Sequence, residues 1–587
     1  RSPEMLQDGN LSIGIRIVNS TIKGPDVDMS CNQSAMICEG ITSIQVTDSN
    51  KILEIFAATF RAGQKSQFVA GNIQIVTVSE LQMEAKVPRT PTGKGLVSGT
   101  SLYLTTQGDM KLGNNVNTWN LASLTASGND VVIADKGQFL ISGSNTCQNH
   151  GGSPLVDRCQ EILGAWATTP WTYPPSANDA NVSFDFVLLG RTSLTISGNL
   201  VASGALLCSQ QIMLNDVSSL AVSGGGCPAS TIRGTAQPAG GRSLPGPPGE
   251  PWLAGGGTHV GRGGYALWSD SSGAHVNQGT IPSHSQYDRY NETRDVLPTQ
   301  GASGGASGIP QALEAGMMNI TSNVSKSYGY SLPPVLTNRS SGGGLIWLSG
   351  LKGITFGKQV SILAQGTDGV ASKDKGYKFA SGGGSGGQIL IFSGAELKTP
   401  TTDFPLLSVV GGNGACTSHG NLWVVSGGGG GGFVGLNWTK PSPDSSRASL
   451  WVRPNFNILV NGGALGSDEK SSPCNMIPGR EMLQSTYGMV GQNMSITACP
   501  GGHAGIFCDL CDKDSWSDGV GMCLPCNPIP AKGFHPNTTV GHASPDCPYS
   551  CSLGVPNVAS NPYCLDPIDY ALGFFGGWKG VLAILAA

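Results

Sequence analysis

The chain has 587 residues, with 34 Lys and Arg against 38 Asp and Glu, a net charge of −4 and only 12% charged residues. This balance excludes a nucleic-acid-binding protein, because such proteins carry basic patches and a pI above ~9. The 86 glycines do not recur at every third position and 39% of the residues are apolar, which excludes a collagen and a disordered linker.

The first predicted part is an N-terminal β-solenoid over residues 1–227. Its apolar residues stand two apart and each stretch ends in glycine, as with Leu194 and Ile196 before Gly198. A period of two is typical of half-buried strands. Helical patterns are confined to residues 78–86 and 309–319.

The strand pattern fades over residues 228–340, which we expect to form an irregular insertion rich in glycine and proline. It resumes over residues 341–470, the second predicted β-solenoid part. Three pairs carry the alternation there: Leu345/Trp347, Ile389/Ile391 and Ile458/Val460.

Many short strands with glycine-rich corners fit either stacked sandwiches or a solenoid. Glycine favours the solenoid, since it tolerates corners where successive coils pass at ~4.8 Å. Low charge also favours it, because stacked coils would place like charges side by side. The predicted fold class is therefore all-β: a parallel β-helix or β-solenoid ectodomain, then a small disulfide-rich module and the start of a transmembrane helix.

The disulfide-rich module is predicted over residues 471–567. Dense, even-numbered cysteine is typical of small domains in oxidising compartments. A four-cysteine zinc site is the rival interpretation, since Cys508-x2-Cys511 and Cys523-x2-Cys526 have the paired spacing of zinc ligands. We expect disulfides at all sixteen cysteines, in a connectivity that the sequence leaves open: Cys31, Cys38, Cys147, Cys159, Cys208, Cys227, Cys416, Cys474, Cys499, Cys508, Cys511, Cys523, Cys526, Cys547, Cys551 and Cys564.

Eleven N-x-[ST] signals predict N-linked glycosylation and an extracellular or cell-surface location. They stand at Asn10, Asn19, Asn32, Asn181, Asn291, Asn319, Asn323, Asn338, Asn437, Asn493 and Asn537.

The segment 568–587 is predicted to start a membrane-spanning helix. Residues 571–587 read ALGFFGGWKGVLAILAA and contain one charge, Lys579. A spanning helix needs ~20 such residues, and Trp578 beside Lys579 suits a membrane interface. A buried C-terminal helix is the alternative.

Motifs for catalysis are weak in this sequence. Residues 301–305 and 383–387 match G-x-S-x-G, but neither stands between a clear strand and a helix as a nucleophile elbow does. The acids of the solenoid are spread singly, and Asp509, Asp512, Asp514 and Asp518 do not follow the order of an EF-hand loop. We therefore predict no catalytic, cofactor-binding or metal-binding residues and no enzymatic activity.

The C-terminal motifs carry a family resemblance. CPGGHAGIFCDLC, CLPC, DCPYSC and NPYC, followed by ALGFFGGW, resemble the C-terminal ectodomain and first membrane segment of large glycine-rich membrane proteins of plants, algae and other protists. The glycine stretches 382–387 and 427–432 are similar to that family's glycine signatures. The resemblance implies membrane anchorage and leaves function open, since the family's function is largely unassigned.

Together these features predict a non-enzymatic, N-glycosylated structural protein of the cell surface. We expect a rigid β-helical rod that associates with itself or with other surface glycoproteins, into a coat or a flagellar-hair-like filament of the mastigoneme type. A carbohydrate-binding or carbohydrate-cleaving β-helix is an alternative, with Trp119, Trp166, Trp171, Trp252 and Trp268 as candidate sugar platforms. The ectodomain of a membrane receptor is another.

Overall fold

A computed structural model describes residues 7–8, 11–18, 20–24, 27–47, 51–87, 100–113, 118–134, 137–141, 153–154, 159–168, 184–226, 243–244, 253–254, 256–257, 263–270, 275–279, 296–297, 340–371, 380–395, 397–419, 422–438, 454–464, 487, 490–495, 499–519, 523–536, 540–552, 555, 563–575 and 577–586. Strands predominate among them, and the prediction of an all-β class is confirmed.

The elements follow in chain order. The first strands are β1 Gln7–Asp8, β2 Leu11–Val18, β3 Thr21–Gly24, β4 Val27–Glu39, β5 Ser43–Val46, β6 Ile52–Ala62, β7 Gln67–Val69, β8 Asn72–Met83, β9 Thr100–Thr106, β10 Asp109–Leu112, β11 Thr118–Ile133, β12 Gln138–Ile141 and β13 Ser153–Pro154. After helix α1 Cys159–Thr168 come β14 Phe186–Ile196, β15 Asn199–Val201, β16 Gly204–Leu214, β17 Ser219–Ala221, β18 Ser243–Leu244, β19 Leu253–Ala254, β20 Ala266–Asp270, β21 His275–Gly279 and β22 Val296–Leu297. Then follow β23 Leu345–Gly350, β24 Ile354–Phe356, β25 Ser361–Leu363, β26 Gln388–Ser393, β27 Leu397–Lys398, β28 Leu406–Ser408, β29 Cys416–His419, β30 Leu422–Val425, β31 Phe433–Trp438, β32 Asn457–Leu459 and β33 Gln492–Ser495. The last elements are β34 His503–Ala504, β35 Asp509–Leu510, β36 Ser515–Trp516, β37 Leu524–Pro525, β38 Gly533–Phe534, β39 Ser550–Cys551, α2 Pro567–Phe574 and α3 Gly577–Ala586.

The chain divides into two compact units. The larger comprises Arg1–Val434 and Trp438–Gln492, and the smaller comprises Gly435–Asn437 and Asn493–Ala587. The parts predicted separately as 1–227 and 341–470 share the larger unit, because β16 pairs in parallel with β23 across the intervening insertion.

Most of the parallel strands described in the larger unit fall into three columns. Column one consists of β9, β23, β26 and the first part or middle of β4, β6, β8, β11, β14 and β16. Column two consists of β2, β10, β24, β27 and the later part of the same long strands. Column three consists of the first part of β11 together with β12, β15, β17, β25, β28 and β32. β3, β5 and β7 form a further parallel sheet.

The core lies between the columns and is built from register partners. In column one the sequence of partners is Leu53, Ile73, Leu102, Leu124, Phe186, Ala205, Ile346 and Ile389. All eight are buried. Column three contributes Phe139, Leu200, Leu220, Ile362 and Leu407 in the same manner. Burying one such side chain contributes about 1.5–3 kcal/mol, so each strand added to a column extends the apolar core.

Side chains of the segments that connect strands also bond the backbone of neighbouring segments. The Asp216 carboxylate accepts from Lys358 N at 2.7 Å, and Asp368 does the same for Asn413 N at 2.7 Å. Asn413 Oδ1 in turn accepts from Ala464 N at 2.8 Å. These bonds stabilise the corners, where no strand ladder satisfies the amides.

Left-handed backbone occurs in three connecting segments that bond one another in turn. Val217, Gln359 and Asp403 have φ of 62°, 55° and 55°. Val217 N donates to Lys358 O, and Gln359 N donates to Asp403 O. A β-branched residue in this region is strained, so Val217 is held there by its position in the stack.

Helix α1 covers an apolar outer face of column one. Leu163 packs with Val187, Leu189 and Leu206, whose side chains point away from the core. The disulfide between Cys159 and Cys208 fastens the helix to β16. The sequence patterns did not predict this helix.

Two predictions of local structure are wrong. Residues 78–86 were expected to be helical, but residues 78–83 belong to β8, where Leu81 and Met83 point inward and pair with Met110 and Leu112. In residues 345–350 the alternation of Leu345 and Trp347 suggests that these two side chains face the core. In the structure Ile346 and Leu348 join the inward partners instead, and Trp347 is half-buried on the outer side. The predicted helix at 309–319 lies outside the described residues.

Part of the insertion 228–340, expected to be irregular, is ordered as strand. β20 pairs antiparallel with β21 and with β30, and β30 pairs with β29. This four-stranded sheet joins the insertion to residues 416–425 of the same unit.

Candidate functional site

The first candidate is a packed set of glycine segments, which we call the glycine lattice: residues 341–344, 364–367, 383–387, 409–412 and 427–432. Gly383 N and Gly386 N donate to Gly427 O and Gly430 O at 2.9 and 2.8 Å. Gly384 N and Gly387 N donate to the opposite neighbour, Thr367 O and Ala364 O, at 2.9 and 2.6 Å. Amides three residues apart therefore bond the same neighbour.

A three-residue repeat is the pitch of a polyproline-II-like backbone, which has no internal hydrogen bonds. Its amides and carbonyls are therefore free to bond other segments, and here they do so in several directions. Gly412 N donates to Gly384 O at 2.7 Å, and Gly343 N donates to Ser385 O at 2.9 Å. Segment 383–387 is consequently bonded to the four other segments of the lattice.

Glycine is required in the lattice by space. A Cβ on Gly384 would lie 2.0 Å from Ser341 O, and one on Gly386 would lie 1.8 Å from Val409 O. A Cβ on Gly429 would lie 1.9 Å from Gly384 O. None of these three has a positive φ, so glycine is needed here for close approach of the backbone and not for a left-handed conformation.

The insertion contributes to the lattice as well. Gly257 N donates to Gly383 O at 2.8 Å and Gly257 O accepts from Gly430 N at 2.9 Å. Gly264 N donates to Gly428 O at 2.7 Å.

One of the two G-x-S-x-G matches lies inside the lattice. Its Ser385 is fully buried, so residues 383–387 do not form a nucleophile elbow.

The second candidate is an acidic row on the outer face of column two. Glu80 pairs in register with Asp109, and Asp130 lies on the next strand, directly before the register partner of Met110. These acids were read as single in the sequence. Residues tens of positions apart become neighbours at ~4.8 Å when coils stack.

The acidic row lines a groove of about 180 Å³ with Leu81, Met110, Lys111 and Val132. Each acid already has a partner: Arg61 Nη2 lies 2.8 Å from Glu80 Oε2, and Ser193 Oγ donates to Asp130 Oδ1 at 2.6 Å. Asn129 donates to Asp109 at 3.4 Å. The walls of the groove thus carry both signs of charge, although most of the surface that lines it is apolar.

The third candidate is the disulfide module in the smaller unit. Four disulfides join Cys499–Cys508, Cys511–Cys523, Cys526–Cys547 and Cys551–Cys564. The zinc alternative grouped Cys508, Cys511, Cys523 and Cys526, and the structure divides these four among three disulfides. Among the described residues no group of three or more His, Cys, Asp and Glu could hold a metal ion.

Histidines of the module lie near one another. The ring centroids of His535 and His542 are 6.4 Å apart, and His535 Nδ1 lies 3.0 Å from Pro548 O. Trp516 forms a bridge with His542, and Ser517 N donates to His542 O at 2.9 Å. These contacts order the module between its disulfides.

The remaining cysteines divide into three groups. Cys159–Cys208 is a disulfide and Cys416 is disulfide-bonded. Cys31 and Cys38 are free thiols, which corrects the prediction of disulfides there. They stand seven positions apart on β4, up to about 20 Å of extended chain, whereas a disulfide needs Cα atoms within about 7 Å. Cys147, Cys227 and Cys474 lie outside the described residues.

Three predicted glycosylation sites fall on described strands: Asn32 in β4, Asn437 in β31 and Asn493 in β33. Asn437 is half-buried. The others lie outside the described residues: Asn10, Asn19, Asn181, Asn291, Asn319, Asn323, Asn338 and Asn537.

The candidate sugar platforms are only partly described. Trp119 is fully buried and packs edge-on against Phe139 at 4.9 Å, so it offers no surface to a sugar. The backbones of Trp166 and Trp268 lie in α1 and β20. Trp171 and Trp252 lie outside the described residues.

The C-terminal segment forms α2 and α3. In the described part of the chain no single helix has the length and apolarity needed to cross a membrane, whereas Pro567–Gly573 and Gly577–Ala586 meet that test together, with a bend of 65° between them. No residue of α3 is buried. The ammonium of Lys532 pairs with Asp566, directly before α2.

Comparison with known proteins identifies one similarity. Residues 494–562 match a family described as a domain of unknown function, DUF8003. No curated protein and no solved structure matches the chain. The match covers most of the disulfide module.

Proposed function

We propose that the larger unit is a parallel β-helix with columns one, two and three as its three faces. Register supports this: the partners Leu53 and Ile73 are 20 positions apart, and Phe186 and Ala205 are 19 apart. The segment from Phe186 to Ala205 passes once through each column before returning, in β14 and β15, and the segment from Leu53 to Ile73 passes through columns one and two and then through β7. Longer spacings, as between Ala205 and Ile346, contain insertions.

The proposed role of this β-helix is structural and non-enzymatic. The observation that carries the proposal is the continuous register of coils together with the glycine lattice. In the lattice, backbone bonds directly to backbone, so few side-chain rotamers remain to be ordered. Such packing makes a stiff element, which suits a surface or filament protein better than a catalyst that must close on a substrate.

The proposed location is extracellular and membrane-anchored. Five disulfides support an oxidising compartment, and the exposed apolar residues of α3 support a lipid contact. Two measurements test this: a mass decrease on treatment with peptide N-glycosidase, and peptide mapping without reductant. A chain isolated from its cells without glycans and with free thiols at Cys511 and Cys523 would contradict the proposal.

We propose further that copies associate into a cell-surface coat or filament, as the resemblance to glycine-rich membrane proteins suggests. Electron microscopy of native material tests this directly. Ordered arrays or filaments are expected. Isolated particles at every concentration and ionic strength would overturn the assembly part of the proposal.

A second candidate function is polysaccharide binding or cleavage at the acidic row. One observation favours it: Glu80, Asp109 and Asp130 line one groove on adjacent strands. Glycoside hydrolysis uses a pair of carboxylates. Incubation with neutral glucans and with uronans, followed by measurement of new reducing or unsaturated ends, tests it. Loss of any activity in Asp109→Asn, but not in Asp216→Asn, would place the chemistry in the groove.

A further inference from the structure

Strand β4 carries a bulge where it passes from column one to column two. The register of β4 with β6 moves from the pair Cys31–Ala57 to the pair Ala35–Thr59. Residues 32–34 therefore stand opposite a single residue of β6. Surplus residues in one strand of a pair leave the regular ladder and form a bulge, and we call residues 32–34 the β4 bulge.

The surplus backbone of the β4 bulge has room only on the solvent side of the sheet. On the inner side Ala35, Met36 and Thr59 are buried and fill the core. The pairing of β4 with β2 begins at Ala35, directly after the bulge. Cys31 Sγ lies 3.4 Å from Ser34 O, so the chain turns back on itself within four residues.

The β4 bulge coincides with a glycosylation signal, Asn32-Gln33-Ser34. In N-linked glycosylation the Asn Nδ2 atom forms a bond to C1 of an oligosaccharide carried on a polyprenyl diphosphate. The bond from C1 to the diphosphate breaks, the diphosphate leaves, and the amide nitrogen loses a proton. The product is a bulky, solvated group that belongs on surface segments. A bulge outside the ladder can carry such a group without disturbing the pairing of β4.

The signal at Asn437 has different surroundings. Asn437 lies inside strand β31 and is half-buried, and Trp438 directly after it is buried. A glycan on Asn437 would have to displace the groups that bury this strand. The two signals are alike in sequence, and the structure separates them.

We propose that Asn32 carries an N-linked oligosaccharide and that Asn437 remains unmodified. This inference rests on the proposed extracellular location, since only a chain in the secretory pathway meets the oligosaccharide donor. A glycan on the β4 bulge also covers the adjacent thiol of Cys31, which is free and half-buried. An accessible thiolate attacks disulfides, so this cover keeps Cys31 from exchanging with the disulfides of the chain.

Peptide mapping of the full chain isolated from its own cells tests both sites. Peptide N-glycosidase converts a glycosylated Asn into Asp, and the change in peptide mass marks the site. Conversion is expected at Asn32, whereas the peptide that contains Asn437 is expected with Asn before and after the enzyme.

Variants of the full chain, produced through a eukaryotic secretory pathway, provide a second measurement. Asn32→Gln and Ser34→Ala each destroy the signal and are expected to lower the mass of the chain by one glycan. Gln33→Ala keeps the signal and is the matched control, so its glycan mass should equal that of the wild type. Asn437→Gln is expected to leave the glycan mass unchanged.

Thiol labelling of the native chain tests the cover over Cys31. Cys31 is expected to react faster with a bulky maleimide after enzymatic removal of the glycans than before it. Cys38 is buried and serves as the internal control, whose rate should not change. Equal rates at Cys31 would show that the glycan leaves this thiol uncovered.

Other outcomes of the mapping overturn the site assignment. Glycans confined to signals other than Asn32, or a glycan found on Asn437, overturn the inference while the proposed location stands. A chain isolated without any glycan overturns the inference together with the proposed location. The mapping uses the wild type, so it decides the question even where Asn32→Gln and Ser34→Ala fail to fold.

Discussion

Substituting Gly429 by alanine tests the glycine lattice. The new Cβ would lie 1.9 Å from Gly384 O and 2.4 Å from Gly384 C, both backbone atoms. Cβ atoms do not approach within 3.0 Å of another heavy atom, so the two segments must separate by about 1.1 Å. No side-chain rotamer can relieve the clash, because neither residue has a side chain.

The separation weakens hydrogen bonds that converge on this contact. Gly429 N donates to Gly412 O at 2.8 Å, and Gly412 N donates to Gly384 O at 2.7 Å. A shift of about 1 Å takes such a bond beyond the range of useful hydrogen bonding. Losing two bonds costs about 1 kcal/mol each, and overpacking costs about 1–3 kcal/mol. We therefore expect Gly429→Ala to lower the free energy of unfolding by about 3–5 kcal/mol.

Gly164→Ala is the matched control for the same chemical change. Gly164 is exposed in α1, and a Cβ there meets no atom within 4 Å. Alanine is favoured over glycine in a helix by about 1 kcal/mol, so this variant is expected to be slightly more stable than the wild type. The comparison separates the cost of a lattice position from the general effect of adding a methyl group.

Hydrogen exchange followed by mass spectrometry provides a local measurement. Wild-type amides of residues 383–387 and 427–432 are expected to exchange slowly, and Gly429→Ala should accelerate them by about 100-fold or more, since 1.4 kcal/mol corresponds to a factor of ten. Urea unfolding followed by circular dichroism gives the global value. A Gly429→Ala protein that unfolds within 1 kcal/mol of the wild type, with unchanged protection in both segments, would refute the account of the lattice.

Three further predictions concern Val217, the Cys511–Cys523 disulfide and the Cys38 thiol. Val217→Asn is expected to raise the free energy of unfolding in urea by about 1 kcal/mol, because asparagine tolerates the left-handed backbone that valine does not. An unchanged free energy of unfolding would mean that the Val217 side chain contributes packing that offsets the strain. Replacing Cys511 and Cys523 with serine removes their disulfide and is expected to destabilise the smaller unit by about 3 kcal/mol, the loop-closure value for a separation of 12 residues. Faster proteolysis confined to residues 499–564 would show this loss of stability. Ser544→Ala, at an exposed position, is the control. Burial raises the pKa of the Cys38 thiol to about 12, so Cys38 is expected to resist iodoacetamide at pH 8.5 in the native chain and to react after denaturation, whereas rapid native labelling at Cys38 would show that β4 opens.

The sequence by itself determined the strand class and the presence of a cysteine-rich module. Alternation in stretches such as Leu194 to Ile196 fixes a strand and its buried side, because only one face is apolar. Where both faces are apolar, as in residues 345–350, the period gives the strand and leaves the inward side open. The outer side there is covered in the tertiary structure, so Trp347 is half-buried on a face that the pattern would leave in solvent.

Only the tertiary structure determined which strands and loops are neighbours, and therefore which distant residues contact one another. Glu80, Asp109 and Asp130 are 29 and 21 positions apart in sequence, and only the register of stacked strands makes them one row. The same holds for the glycine lattice. The composition shows that glycines are abundant, but the reason that they are needed lies in the tertiary structure, where carbonyls of distant segments occupy the space that a Cβ would fill. Contacts across a stack depend on insertion lengths and register, and neither is encoded in the local period of the chain.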